Sequence, residues 1–103
     1  MTIEDVRPEV IAFAIEMEKK LRENEHKGGS EEWRKMPFHE AIERIYEETD
    51  ELDHVLVFIK PENTDTENKH AARRIVREAA DVANFCMMIS DKVLSENFDS
   101  YLT

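Results

Sequence analysis

ENKHAARRIVREAADVANFCMMISDKVL, residues 67–94, is the stretch of sequence that decides the fold. It contains neither glycine nor proline, the residues that most often interrupt a helix. Apolar or small side chains recur in it at alternating intervals of three and four residues, the period of an α-helix, and they are Ala72, Ile75, Ala79, Val82, Cys86 and Ile89. We therefore predict a long helix from about Glu67 to Leu94.

The same period predicts two helices upstream. One runs from about Phe38 to Ile59 and is stopped by Pro61. The other runs roughly from Arg7 to Glu25 and is followed by the adjacent glycines Gly28 and Gly29, the only glycines of the chain. The polar segment before the long helix offers four candidate N-caps, namely Asn63, Thr64, Asp65 and Thr66. Ser95 is placed to cap a short fourth helix, Glu96 to Leu102.

These elements predict an all-α fold. The β-prone residues 56–59 continue a helical stripe, so no strand is predicted. The 103 residues fit a single domain, 1–103, built as a helical bundle of three main helices plus a short C-terminal helix. A chain this small buries only a modest share of its surface. We therefore expect apolar faces that include Val55, Phe58 and Met88 to stay exposed, and the bundle to be completed by oligomerisation as a homodimer or homotetramer.

Composition excludes several classes of function. With 24 acidic and 14 basic side chains, the chain has a formal net charge of -10 and is unsuited to nucleic acids or anionic membranes. No apolar run is long enough to cross a bilayer, and residues 1–8 lack the apolar core of a signal peptide. Cys86 is the only cysteine, so no internal disulfide forms. These features predict a cytoplasmic location.

Two pairs of acids on the predicted helices carry the chemistry. Residues 47–51 read EETDE and residues 78–81 read EAAD, so Glu48–Glu51 and Glu78–Asp81 are each spaced by three residues and share a helix face. On neighbouring helices, the four carboxylates would meet beside the apolar stripes and repel one another. A hard divalent cation such as Mg²⁺ offsets that repulsion. The alternative is that these acids are solvated, with Arg74–Glu78 and Arg77–Asp81 as ordinary i,i+4 pairs.

The run EETDE, a spacer of 26 residues and EAAD together resemble the EExxE…ExxD signature of MazG-type nucleotide pyrophosphohydrolases, a group within the all-α NTP pyrophosphatase superfamily. The segment HKGGSEEW, residues 26–33, is similar to the loop that precedes the first acidic helix in such proteins. The resemblance covers about Leu21 to Ile89, which is most of the chain.

The resemblance implies a helical bundle whose active site is completed in an oligomer. It implies an enzyme that hydrolyses a nucleoside triphosphate between the α and β phosphorus atoms, giving the monophosphate and pyrophosphate. Mg²⁺, with Mn²⁺ as an alternative, would be held by Glu48, Glu51, Glu78 and Asp81, and it would polarise the phosphate and activate a water. Glu47, the first acid of the motif, would assist indirectly or orient that water.

Five residues are candidates for binding the nucleotide. Lys27 and Arg77 could hold phosphates, although both could equally be surface charges. Trp33, placed in a polar loop, could stack on the base or plug an end of the bundle. His26 lies next to the glycines, and Asn84 stands where the family often has a polar substrate contact. Phe38, Phe85 and Met88 are predicted to be core residues.

Two competing interpretations remain at the level of sequence. Amphipathic helices of this kind also form non-catalytic oligomerisation or interaction modules. A second alternative is a superfamily enzyme specific for dUTP or phosphoribosyl-ATP. An assembly module gives no reason for two acid pairs beside a buried seam, so the position of these carboxylates discriminates between the first alternative and an enzyme.

Overall fold

A computed structural model describes residues 1–96, and the predicted fourth helix, Glu96 to Leu102, lies almost wholly outside this range. Four α-helices are present, and the described residues contain no strand: α1 Pro8–Glu23, α2 Ser30–Trp33, α3 Phe38–Val55 and α4 Asp65–Ser95. A single 3₁₀ turn at Ile3–Asp5 precedes α1, and further single turns at Glu25–Lys27 and Leu56–Phe58 lie in the connections after α1 and after α3. The all-α prediction and its three main helices are confirmed.

The boundary of α4 follows its predicted capping chemistry. Thr64 is the N-cap, and its hydroxyl accepts a hydrogen bond from the Glu67 amide at 3.1 Å. The Glu67 carboxylate in turn accepts one from the Thr64 amide at 2.9 Å. This reciprocal pair satisfies two backbone donors that a helix start would otherwise leave free.

The predicted end of the second long helix is wrong. We placed it at Ile59, but α3 ends at Val55, and a 3₁₀ turn leads to Ile59 in extended conformation. Side-chain amides replace helical hydrogen bonds here, since Asn63 donates to the Phe58 carbonyl at 2.7 Å and Asn68 pairs with both backbone groups of Lys60. These bonds let the chain reverse and enter α4.

The long helix α4 organises the molecule. It packs along α3 and along α1, while α1 and α3 make at most marginal contact with each other. Phe38, at the start of α3, lies under Lys92 near the end of α4, and Phe58, just after α3, lies under Arg74 near its start, so the two helices are antiparallel. A gap therefore remains between α1 and α3, with α4 as its floor.

The core of the described chain is sparse. Within residues 1–96, three hydrophobic residues are buried, and they are Ala41, Val55 and Ala80. Val55, predicted to be exposed, is 1 % exposed because it faces inward where α3 meets α4. Phe58 is exposed as predicted, and Met88 is half-buried. Several large apolar side chains of α3 and the turn after it face outward, namely Phe38, Ile42, Tyr46, Leu56, Val57 and Ile59.

Candidate metal centre

Three carboxylates from the two predicted acid pairs come together where α3 crosses the middle of α4. Glu48 lies on α3, while Glu78 and Asp81 are three residues apart on α4 and share its face. One carboxylate oxygen from each lies within 4.8 Å of the others. Ala80, which is completely buried between the pair on α4, lets the helices approach closely. We call Glu48, Glu78 and Asp81 the acidic cluster.

Glu51, the fourth predicted ligand, lies at the edge of the acidic cluster. It is exposed, and its carboxyl group contacts those of both Glu48 and Glu78. Burial, followed by the charge of Glu51, raises the pKa of Glu48 to about 7. The same two causes raise the pKa of Glu78. The acids therefore disfavour one another's ionised forms, as expected for carboxylates that share one site.

The acidic cluster has little compensation from the described residues. The Glu78 Oε2 atom is buried and has no hydrogen-bond partner among them. The one cation paired with the cluster is Lys20, whose Nζ lies 3.4 Å from Asp81 Oδ2. Burial still raises the pKa of Asp81, although Lys20 opposes that shift. A buried carboxylate oxygen without a partner costs free energy unless a donor or a cation reaches it.

The donor set fits a hard divalent cation. All of its ligand atoms are carboxylate oxygens, which Mg²⁺ and Mn²⁺ accept, and no sulfur or imidazole group belongs to the acidic cluster. A cation there would meet the unpartnered Oε2 atom of Glu78 and would offset the repulsion among Glu48, Glu51 and Asp81.

The pairing expected for merely solvated acids is absent from the described residues. Arg77 does not pair with Asp81; both its terminal nitrogens donate to Glu23 on α1, each at 2.8 Å. Arg74 does not pair with Glu78 but lies over the ring of Phe58, 5.5 Å from its centroid. Arg74 and Arg77 thus make their side-chain contacts with groups outside the acidic cluster.

A cavity of about 650 Å³ opens beside the acidic cluster, in the gap between α1 and α3. Glu48, Glu51 and Asp81 line one end of it. The segment 24–36 covers part of the cavity, whose apolar lining residues are Leu21, Trp33, Met36, Phe85 and Met88. The further acids Glu18, Glu25, Glu32 and Glu40 also line it. The volume is within the range of small-molecule sites. Phe85 and Met88, predicted to be core residues, are half-buried and form part of this wall.

Asp91 on α4 holds the segment 24–36 in place beside the cavity. Its Oδ2 accepts hydrogen bonds from Trp33 Nε1 at 2.7 Å and from Arg34 Nε at 2.8 Å, and its Oδ1 accepts one from Arg34 Nη2 at 3.0 Å. These donors lower the pKa of Asp91 to about 2. Trp33 lies in the short helix α2 and not in a loop as predicted, because this contact and the helical turn hold it in place.

The other predicted substrate residues divide into two groups. Lys27 and Asn84 line the cavity together with Trp33. Asn84 is 5 % exposed; its Nδ2 donates to the Met17 carbonyl at 3.1 Å, and its Oδ1 has no partner among the described residues. Outside the lining are His26 and Arg77, and so is Glu47, whose exposed carboxylate pairs with Arg44. Substrate or catalytic roles for this second group stay predictions without a supporting contact.

Sequence reasoning missed Lys20 and Asp91, and helical period would have found both. Lys20 follows the inward-facing Met17 by three residues, so it lies on the same face of α1. Asp91 follows Asn84 by seven residues, two helical turns along the face of α4 that also carries Asp81. The spacing between acids alone does not reveal which polar residues share an inward face.

Comparisons with protein-family models, with characterised proteins and with solved structures find no match for this chain. The resemblance to MazG-type pyrophosphohydrolases therefore stays a prediction. Within residues 1–96, no helix combines the length and the apolar character needed to cross a membrane. The cytoplasmic location also stays a prediction.

Proposed function

We propose that this chain is a Mg²⁺-dependent nucleoside triphosphate pyrophosphohydrolase that acts as a homo-oligomer. The observation that carries the proposal is the acidic cluster, with one unpartnered carboxylate oxygen, beside a cavity whose lining also contains a group of apolar side chains. A nucleotide has the matching polarity, because an anionic phosphate chain is joined to a flat, weakly polar base. One ligand of this kind would contact both the acidic cluster and the apolar side chains.

The roles of the residues follow from their positions. Glu48, Glu78 and Asp81 would hold the cation, with Glu51 at the edge of the site as a further ligand. When bound, Mg²⁺ would supply charge neutralisation, polarisation of the phosphate and activation of a water. Without a cation, an acidic cavity in a chain of net charge -10 would repel a triphosphate. The cation therefore makes the substrate's charge compatible with this site.

The apolar side chains of the cavity would hold the base. The indole nitrogen of Trp33 is already bonded to Asp91, so the ring is held by a bond that a ligand need not break. A ring fixed in this way can stack on a base with little loss of conformational freedom. Phe85 and Met88 provide apolar surface from α4. None of these contacts selects among the bases, so dUTP and phosphoribosyl-ATP remain alternative substrates.

The oligomer rests on a separate observation. Phe38, Ile42 and Tyr46 follow one another at intervals of four residues on α3 and are 42 %, 41 % and 68 % exposed. Helical period places them on one face, and a second copy would bury that stripe. Ile42→Glu should therefore reduce the molar mass measured by light scattering to that of one chain. A parent protein that is monomeric at micromolar concentration would contradict the oligomer.

A non-catalytic assembly module is the second candidate, and the outward-facing apolar residues of α3 favour it. A panel of ribo- and deoxynucleoside triphosphates with Mg²⁺ or Mn²⁺ separates the two functions. We expect pyrophosphate and monophosphate from at least one nucleotide. Orthophosphate and diphosphate would indicate a different hydrolase, and release of neither product from any nucleotide would favour the assembly module.

A further inference from the structure

Lys20 is unusual among the lysines of α1 because it faces the cavity. Its side chain is 15 % exposed, whereas that of the adjacent Lys19 is 61 % exposed and pairs with Glu16 at 3.0 Å. Lysine is rarely buried to this extent without a firm partner, because its ammonium group is strongly hydrated. The position of Lys20 therefore calls for an anion inside the cavity.

The ion pairs of Lys20 are loose, and both partners have other uses. Its Nζ lies 3.4 Å from Asp81 and 3.7 Å from Glu23. Glu23 is already engaged by Arg77 through two hydrogen bonds of 2.8 Å. Asp81 belongs to the acidic cluster, and a cation bound there would draw its charge away from Lys20. The ammonium group would then face the cavity with less compensation than it has now.

The other cations of the cavity wall are placed differently. Arg44 pairs with Glu47 at 3.2 Å and lies over the ring of Phe85, 5.4 Å from its centroid. Lys27 is exposed, in the segment that covers the cavity. Of the cations that line the cavity, Lys20 is the one in contact with the acidic cluster, which is where the proposed function places the phosphate chain.

We propose that Lys20 is a phosphate-binding residue, whose ammonium group leaves Asp81 and donates to the phosphate chain once the acidic cluster holds its cation. This proposal rests on the proposed function. In the free protein, the ammonium group of Lys20 supplies part of the positive charge that the acidic cluster lacks without its cation. In the complex, it binds the anion that arrives with the metal.

Two calorimetric titrations test the proposal on the full chain, one with Mg²⁺ alone and one with inorganic pyrophosphate at saturating Mg²⁺. Lys20→Met should bind Mg²⁺ at least as tightly as the parent, because a competing cation is removed from Asp81. It should bind pyrophosphate about tenfold more weakly, which is a common cost of losing one charged hydrogen bond. Lys20→Arg keeps the charge and should retain most of the pyrophosphate affinity. Lys19→Met, which removes the same charge from the outer face of α1, should match the parent in both titrations.

Equal pyrophosphate affinity in Lys20→Met and the parent would overturn the proposal. Weaker Mg²⁺ binding in Lys20→Met would also overturn it, because Lys20 would then stabilise the acidic cluster in its metal-binding form. If Lys20→Met does not fold, Lys20→Arg serves as the test. The proposal would be overturned if Lys20→Arg, which keeps the positive charge, no longer bound pyrophosphate. The nucleotide panel separates the two proposals. If the parent hydrolyses nucleotides and Lys20→Met binds Mg²⁺ and pyrophosphate as the parent does, only the proposal for Lys20 is refuted. A parent that binds Mg²⁺ but neither hydrolyses nucleotides nor binds pyrophosphate refutes both.

Discussion

Asp81 and Asp91 lie ten residues apart on the same helix and have opposite environments. Asp91 accepts three hydrogen bonds from Trp33 and Arg34, and its pKa falls to about 2. Asp81 has one loose partner and two acidic neighbours, and its pKa is raised. An acid surrounded by donors has its full complement of contacts within the chain, whereas an acid grouped with other acids still lacks a cation. The comparison separates a structural carboxylate from a candidate ligand.

The largest effect that this comparison predicts is on catalysis. Glu78→Gln keeps the side-chain shape but removes the carboxylate that holds the unpartnered oxygen. We expect kcat to fall on the order of 10²–10³, as for loss of a main electrostatic contribution at a reacting phosphate. The metal-free variant should be at least as stable as the parent, because one repelling charge is gone.

The matched control for this variant is Asp50→Asn. Asp50 belongs to the other acidic motif, EETDE, but is exposed and lies outside the acidic cluster, so the substitution removes an equal charge. It should leave kcat unchanged. Glu78→Gln and Asp50→Asn with the same activity would remove the distinction between clustered and solvated acids.

A second prediction concerns pH and metal. The pKa of Glu48 rises from 4.5 to about 7 on folding, so its protonated form is favoured in the folded state. Its contribution to stability is present below about pH 4.5 and is lost as pH rises through 7. The contribution of Asp91 to stability has the opposite sign, because its pKa is lowered on folding. That contribution is present above about pH 3.8 and is lost only as the pH falls toward 2. Between pH 5 and 8, the metal-free protein should therefore lose stability through the acidic cluster alone.

Mg²⁺ should reverse that loss. Binding at a free concentration one hundred times Kd stabilises a protein by about 2.7 kcal/mol, and the gain should be larger at pH 8 than at pH 5.5 because the ligands are then ionised. Thermal melts with EDTA or Mg²⁺ at the two pH values measure both effects. Glu48→Gln should flatten the pH dependence and reduce the response to Mg²⁺. A melting temperature that ignores Mg²⁺ at pH 8 would contradict a metal centre.

The smallest expected effect comes from the other side of the comparison. Asp91→Asn removes the charge that Arg34 and Trp33 share while keeping one acceptor oxygen. We expect KM for the nucleotide to rise by up to about tenfold, because Trp33 is held less firmly, with kcat and the Mg²⁺ response nearly unchanged. Steady-state kinetics test this, with Lys35→Met as the control because it removes an exposed charge next to Arg34. A large fall in kcat would place Asp91 in the chemistry and not in the cover of the cavity.

Local sequence rules were sufficient where the physics is local. The stripe of α4, its capping residues Thr64 and Glu67 and the pairing of Glu78 with Asp81 all follow from helical period and capping chemistry. The metal-centre prediction needed only one tertiary fact, the antiparallel contact of α3 with α4, which the short connection between them favours. The convergence of Glu48 with the pair on α4 is therefore visible in the sequence.

The sequence was less informative where distant side chains compete for the backbone or for a charge. The early end of α3 depends on Asn63 and Asn68, which a search for apolar period ignores. The single turn of α2 is too short to show a period. Arg77 has acids within reach on both α1 and α4, and only the packing of the helices assigns it to Glu23.

Because α4 runs without a break, the number of residues between two of its positions fixes their distance and their relative direction in the site. Asp81 and Asp91 are separated by about 15 Å along the helix axis, since each residue adds about 1.5 Å, and their directions around the axis differ by about 80°, an angle that the number of residues between them fixes. A single residue inserted between them would turn everything beyond it by about 100° while leaving the first half undisturbed. The acidic cluster would survive, but the Asp91 carboxylate would no longer point toward Trp33. The number of residues between Asp81 and Asp91 is thus a constraint of its own, separate from the identity of those residues.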